Sequence, residues 1–364
     1  MSSKNKNHNT MPLFWRAFLY RIRIMLKSFA RPGLLACLFC TTLTSAVASA
    51  ADFPERYLRL AYANNSRNPQ YAGAKKLADL VAEKTGGKMS IKLHPDAAFG
   101  KDLDVLSSMQ VGGVDLSIMN TNLLVGIAKE AGLIDLPYLF NNEAEAFAVL
   151  DGPVGQKIHA ALEAKGLVGL AYFDMGYYHL HNNVRPINKL EDMAGMKIRV
   201  TETPISIEFI NSLGGKAVPI AYAGLYSALA KKEVDGAGQP LNNVVSAKFY
   251  EHQKYLTLTR HTYTPQSLLM SKKSWDKLSP AEQKVIKEAA AEARDYERKQ
   301  SLENTAQALE FLKTKMTVNE LAPAETERMR EKVKPVTEKF SKEYGESLAK
   351  ELFAEIAKAR SAKK

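Results

Sequence analysis

Arg199 is the residue of this chain best placed to do chemistry. It lies in the run Lys197-Ile198-Arg199-Val200, where Ile198 and Val200 alternate with charged residues as on a strand with one buried face. Thr201 to Pro204 can then start a helix, with Thr203 as N-cap and Pro204 at the first helical position. Arg199 therefore stands at the carboxyl end of a strand, facing a helix amino terminus, where ligands bind in open α/β sheets. Its guanidinium is a planar fork of donors that fits a carboxylate in two parallel bonds. Polar loops follow two other strand-like runs: Asn64-Asn65-Ser66-Arg67-Asn68 after Tyr57 to Ala61, and Asn120-Thr121-Asn122 after Val114 to Met119. They bring Asn64 and Asn120 to one sheet edge as candidate ligand contacts. His179 and His181 share one face of a further strand and can both reach a pocket there. Their spacing could suit a metal pair, but no third ligand is convincing, so the pattern predicts no metal site. There is no nucleophile elbow, phosphate loop or dinucleotide fingerprint; Gly86-Gly87, Gly112-Gly113 and Gly214-Gly215 end helices or begin strands. These features predict binding of an organic acid rather than catalysis, with no cofactor.

The elements that must position these residues alternate. Apolar residues Ala74, Leu77, Ala78 and Val81 recur at helical spacing up to Gly86-Gly87, and Met89 to Leu93 is a strand. A helix from about Lys101 to Val111 leads into the strand Val114 to Met119. Helices over Glu143–Leu150 and Val154–Lys165 precede a strand at Leu167 to Tyr172. Asp174-Met175-Gly176 reads as a turn into a separate strand, Tyr177 to Asn182, and as the crossover between two lobes. Leu256–Leu258 and Gln266–Ser271 read as two further strands, and from Ser279-Pro280 onward the chain reads as charged helices. Leu136-Pro137-Tyr138-Leu139-Phe140 reads as core and hinge packing. This alternation predicts an α/β fold with a parallel sheet.

The 364 residues carry a formal net charge of +11, but the first 50 hold seven Lys or Arg and no acid. Beyond them 43 basic residues face 39 acidic ones, so the basicity belongs to the amino terminus and nucleic-acid binding loses its support. The basic segment, the apolar run Leu34 to Val47 and the small residues Ala48-Ser49-Ala50 form a signal peptide, with cleavage expected after Ala50. Met1, Met11 and Met25 are all possible starts. The apolar run is short for a membrane anchor. Leu34-Leu35-Ala36-Cys37 could pass for a lipid-attachment box, but Arg31 leaves it no apolar core upstream. Both cysteines, Cys37 and Cys40, fall inside this segment, so the exported chain has no thiol chemistry.

The runs Lys197-Ile198-Arg199-Val200, Gly214-Gly215-Lys216-Ala217-Val218-Pro219-Ile220-Ala221-Tyr222, Val234-Asp235-Gly236 and Ala247-Lys248-Phe249-Tyr250-Glu251-His252-Gln253-Lys254-Tyr255-Leu256 resemble, taken together, the solute receptors of tripartite ATP-independent periplasmic (TRAP) transporters, dicarboxylate-receptor branch. The resemblance covers the chain from near Tyr57 to the last helices. It implies a two-lobed periplasmic binding protein fold with a ligand cleft between lobes and long carboxyl-terminal helices. The expected division is 51–175 for lobe I, 176–270 for lobe II and 271–364 for helices packing across both. It implies that Arg199 forms a salt bridge with a ligand carboxylate, that Gln239 stands where relatives carry an Asn bonding the same carboxylate, and that Tyr222 lays a ring against the ligand. Tyr178 stands where relatives often place a second Arg, and Asn120 where some sugar-acid relatives use Glu. Losing the second cation favours a ligand with one carboxylate and a neutral, hydroxylated or apolar remainder. The implied partners are that carboxylate ligand and the TRAP membrane subunits, with the protein a monomer in the periplasm. A binding protein of an ATP-driven importer and an exported enzyme acting on organic acids are the alternatives.

Overall fold

The computed structural model describes residues 53–361; the leader, its cleavage site, both cysteines and the possible starts lie outside them. Nine strands form one mixed sheet: β1 Arg56–Ala61, β2 Met89–His94, β3 Leu116–Asn120, β4 Leu167–Asn182, β5 Lys197–Val200, β6 Lys216–Pro219, β7 Gly236–Gln239, β8 Tyr255–Ser271 and β9 Thr317–Glu320. Their order is β2-β1-β3-β8-β4-β7-β5-β6, with β9 beside β8. At one end β2, β1 and β3 are parallel, and at the other β6, β5 and β7 are parallel. The antiparallel pair β4 and β8 runs between the two ends and joins them. This is the two-lobed α/β architecture, but the sheet is mixed rather than parallel.

Local chemistry places the helices. Asn68 caps the helix Pro69–Lys84 by accepting the Gln70 amide, and that helix buries Ala74, Leu77 and Val81. Thr203 caps Pro204–Ser212 through the Ser206 amide, with Pro204 in the first turn. Ser279 and Glu282 form a reciprocal capping box on the helix Pro280–Lys313, which packs on both β4 and the helix Pro69–Lys84. One core lies beneath those two helices, around Leu60, Leu77, Ile118, Phe173 and Ile286. Another gathers Leu133, Ile158, Phe340 and Leu352. Two smaller cores flank the β5–β7 end, one around Ile198 and Phe209 and one around Leu225 and Phe249.

Three expectations are corrected. Asp174-Met175-Gly176 is no turn: β4 runs unbroken through it, with a bulge between Asp174 and Tyr177 and Gly176 at φ +88°. Phe173 and Tyr177 are buried on either side, and the Asp174 carboxylate accepts from Tyr263 at 2.8 Å, so extended backbone costs little there. The segments read as two strands at 256–258 and 266–271 are one strand, β8. Its polar middle looks loop-like in sequence, but Thr264 donates to Asp135 and Thr259 bonds His261, so these residues are buried with partners. Finally, a short strand, β9, interrupts the carboxyl-terminal helices.

Candidate functional site

Arg199 ends up buried, 3% exposed, although it faces away from Ile198 and Val200. Its face of the strand looks into a cleft between the two lobes instead of into solvent. Its Nε donates to the Ile220 carbonyl at 2.7 Å, which fixes the side chain and leaves both Nη groups without a protein hydrogen bond among the described residues. Burial pulls its pKa down, while Tyr178, Tyr222, Glu202 and Asp102 support the charge. It remains a cation in a buried site.

Three adjoining compartments occupy the cleft. Arg199, Asn120, Tyr178, Tyr222, Gln239 and Asp102 line the middle one. Asn64, Gln70, Asn120, Tyr222 and Asp102 line the next. Of the eight residues singled out in the sequence, six therefore converge. Gln239 is fully buried; its Oε1 accepts from Asn243 at 3.0 Å, and its Nε2 has no partner. The Tyr222 hydroxyl is likewise buried and unpartnered, its ring set edge-on against Phe249. The Tyr178 hydroxyl accepts from Asn120 Nδ2 at 3.2 Å, and burial pushes its pKa up to about 12, so it stays a neutral donor. An arginine fork, an amide donor and two phenols around one space can surround a carboxylate.

His179 does not join them. It lines none of the three compartments, and its Nδ1 accepts the Arg260 amide at 3.3 Å. The cause is a wide irregularity between β4 and β8: His179 stands alone between Tyr178 and Leu180, opposite four residues, Leu258 to His261. Arg260 adopts φ +44° there, and its amide needs an acceptor. His181 bonds Gln253 at 2.8 Å and stacks on Phe249, also outside the compartments. Burial lowers both imidazoles, to about 3 for His179 and about 4 for His181, so both are neutral.

The same irregularity delivers a residue that the sequence reading missed. His261 stacks on Phe209 at 4.9 Å, is held through Nδ1 by Thr259 at 2.7 Å, and lines the third compartment. That chamber also meets Arg199, Tyr178, Asn122, Asp135, Thr264 and Pro137. The segment read as packing thus contributes Pro137 to the cleft, while Leu136 and Phe140 are buried as expected. Asp102 was missed as well; no pattern distinguishes it from an ordinary acidic residue in a first helical turn. Burial pushes its carboxyl up to about 6 against the pull of Arg199. Arg199 is the one cation lining the three compartments among the described residues.

One edge of the cleft is bridged by hydrogen bonds. Asn65 and Arg67 donate to the Ser246 carbonyl at 2.9 and 2.8 Å, and Asn68 Nδ2 donates to Asn243 Oδ1 at 2.7 Å. Asn243 in turn holds Gln239, so the contact between lobes runs into the site through one amide.

Residues 60–343 match the family described as bacterial extracellular solute-binding protein, family 7. A TRAP periplasmic solute-binding protein from Ochrobactrum anthropi, whose own carboxyl terminus occupies its ligand pocket, is 47% identical. The match covers 85% of this chain and 97% of that one, with a TM-score of 0.77. The sugar-acid-binding protein of Advenella mimigardefordensis in complex with galactonate is 36% identical, over 85% of this chain and all of that one, with a TM-score of 0.83. The 2,3-diketo-L-gulonate-binding periplasmic protein of Escherichia coli is 34% identical over 73% of this chain and 81% of its own length. With its sequence and its two-lobed sheet in agreement, this chain belongs to the family-7 extracellular solute-binding proteins, the receptors of TRAP transporters.

Proposed function

We propose that this protein is exported, captures an organic acid bearing a single carboxylate, and delivers it to TRAP membrane subunits without altering it. The observation that carries the reading is the buried Arg199, with both Nη groups unpaired among the described residues and unpartnered donors on Tyr222 and Gln239 lining the same compartment. An arginine buried without a hydrogen-bonded counter-ion is costly, and a carboxylate that accepts from these groups reduces the cost. The remaining lining supports one carboxylate only, because Asp102 and Asp135 repel a second and Tyr178 brings no charge. Relatives bind such acids, galactonate in one case.

The protein works as a monomer after cleavage behind Ala50, with lobes at 51–175 and 176–270 and the helices of 271–364 bridging them. It neither makes nor breaks bonds. Thermal-shift screening against a carboxylate library, followed by a product assay on each hit, tests this. Stabilisation by monocarboxylates without turnover is expected. Product formation from a hit would restore the enzyme alternative, and stabilisation by amines or neutral sugars alone would refute carboxylate recognition.

A further inference from the structure

A side-chain amide has a donor end and an acceptor end, and only the donor end of Gln239 suits a carboxylate. Gln239 alone does not decide which end faces the cleft. It is fully buried at the end of β7 and lines the compartment that holds Arg199. The choice is made three hydrogen bonds away, beside β1 in the other half of the sheet.

The series starts at a backbone amide, which can only donate. Gln70 N–H donates to Asn68 Oδ1 at 3.1 Å, the cap of the helix Pro69–Lys84. That occupies the acceptor end of Asn68 and turns its Nδ2 away, where it donates to Asn243 Oδ1 at 2.7 Å and to Ser246 Oγ at 3.3 Å. Asn243 stands on the helix Leu241–Ser246, which follows β7. With its oxygen occupied, its Nδ2 donates to Gln239 Oε1 at 3.0 Å. Gln239 Nε2 is the end left over, buried and without a partner. Every bond in the series points the same way. Turning Asn243 over would set nitrogen against nitrogen at one junction and oxygen against oxygen at the next. Asn68 and Asn243 are both buried, so water offers little relief from such a clash.

We propose that Asn68 and Asn243 are positioning residues for ligand binding: this one-way relay of amides, anchored on a helix cap, locks Gln239 with its donor end toward the carboxylate on Arg199. It rests on the carboxylate reading of Arg199. The relay selects by polarity. The ligand group opposite Gln239 must be an acceptor, and a donor-only group there meets an amide that cannot turn over.

The substitution that tests it is Asn68→Asp. Aspartate caps a helix as well as asparagine does, but when ionised it offers acceptors only. It must take a donor from Asn243, whose amide turns over, and Gln239 then turns to present Oε1 to the carboxylate. The measurement is calorimetric titration of lactate, glycerate and gluconate at pH 8, with circular dichroism to verify folding. The proteins are wild type, Asn68→Asp, Asn68→Ser, Asn243→Ala, both Asn68 variants combined with Asn243→Ala, and Arg199→Ala. Asn68→Asp should lose at least ~20-fold in affinity, because a hydrogen bond to a charge becomes a repulsion. Adding Asn243→Ala to it should restore binding to within ~3-fold of Asn243→Ala alone, since a severed relay frees Gln239 to turn back. Asn68→Ser keeps a cap and cuts the relay, so it and Asn243→Ala should each lose less than ~12-fold and together lose no more. Asn68→Asp binding as tightly as Asn68→Ser, a double variant no tighter than Asn68→Asp, or additive losses for Asn68→Ser and Asn243→Ala would overturn the relay. If those results appear while Arg199→Ala abolishes binding, the relay falls and the carboxylate reading stands. If Arg199→Ala binds as wild type does, or wild type binds none of the three acids, the carboxylate reading falls and the relay with it.

Discussion

Replacing Arg199 by alanine removes the donor pair around which the cleft is built. Its two Nη groups have no protein partner among the described residues, so the bonds lost are those to the ligand. The carboxylate would be left buried beside Asp102 with no cation near it. Truncating one partner of a desolvated charge pair costs roughly 2–5 kcal/mol, with these losses concentrated in the dissociation rate. That is about 30-fold to several thousand-fold in affinity. The fold should tolerate the change. The one protein bond lost is Nε to the Ile220 carbonyl, and Ile220 is only partly buried, so water can replace the donor. Arg199→Lys restores a positive charge but not the fork, and should recover only part of the affinity. Calorimetric titration of a hit from the carboxylate screen measures this, with circular dichroism to verify folding. A folded Arg199→Ala variant that binds within about threefold of wild type, under 1 kcal/mol, would refute the reasoning.

Further expectations concern the surroundings of that arginine. With one cation lining the cleft, monocarboxylates should bind more tightly than dicarboxylates of equal length, and succinate or malate as the tightest ligands in a calorimetric panel would contradict this. Asn243→Ala releases Gln239 Oε1 and breaks the link to Asn68; at about 0.5–1.5 kcal/mol per hydrogen bond it should weaken binding about 2- to 12-fold, and an unchanged dissociation constant would remove Gln239 from the site. Glu297 and Asp174 are both buried, each with an unpartnered oxygen; burial raises both pKa values, with Asp174 adding to the rise at Glu297 and Glu143 to that at Asp174. A carboxyl raised in the folded state favours folding while protonated and loses that advantage as pH climbs from its unfolded value, about 4.3, toward its folded one. Glu297→Gln should therefore gain in melting temperature over wild type as pH rises from 5 to 8, whereas parallel pH profiles would show that the pair is not strained by charge.

Much of the site was legible because its chemistry sits at strand ends. The alternation around Arg199 and the Thr203-Pro204 helix start fix where that side chain lies, and the polar loops after β1 and β3 place Asn64 and Asn120 opposite it. His179 was misplaced because strict alternation assumes a regular ladder, and the four residues of β8 opposite it break the ladder at that point. His261 was invisible for the same reason: its position depends on an irregularity that only pairing with β4 creates. The long strands β4 and β8 were read as fragments because Gly176, Pro265 and a run of polar residues are turn signals when exposed. Buried partners such as Tyr263 for Asp174 and Asp135 for Thr264 cancel those signals, and they lie far away in sequence.

The central claim is that a ligand carboxylate sits on Arg199 between the lobes. A crystal structure of the protein grown with the tightest acid from the screen tests it most directly. Both carboxylate oxygens should lie within hydrogen-bond distance of Arg199 Nη1 and Nη2, with Gln239 Nε2 and the Tyr222 hydroxyl as further donors. A ligand bound elsewhere, or one whose carboxylate turns away from Arg199 toward solvent, would contradict it.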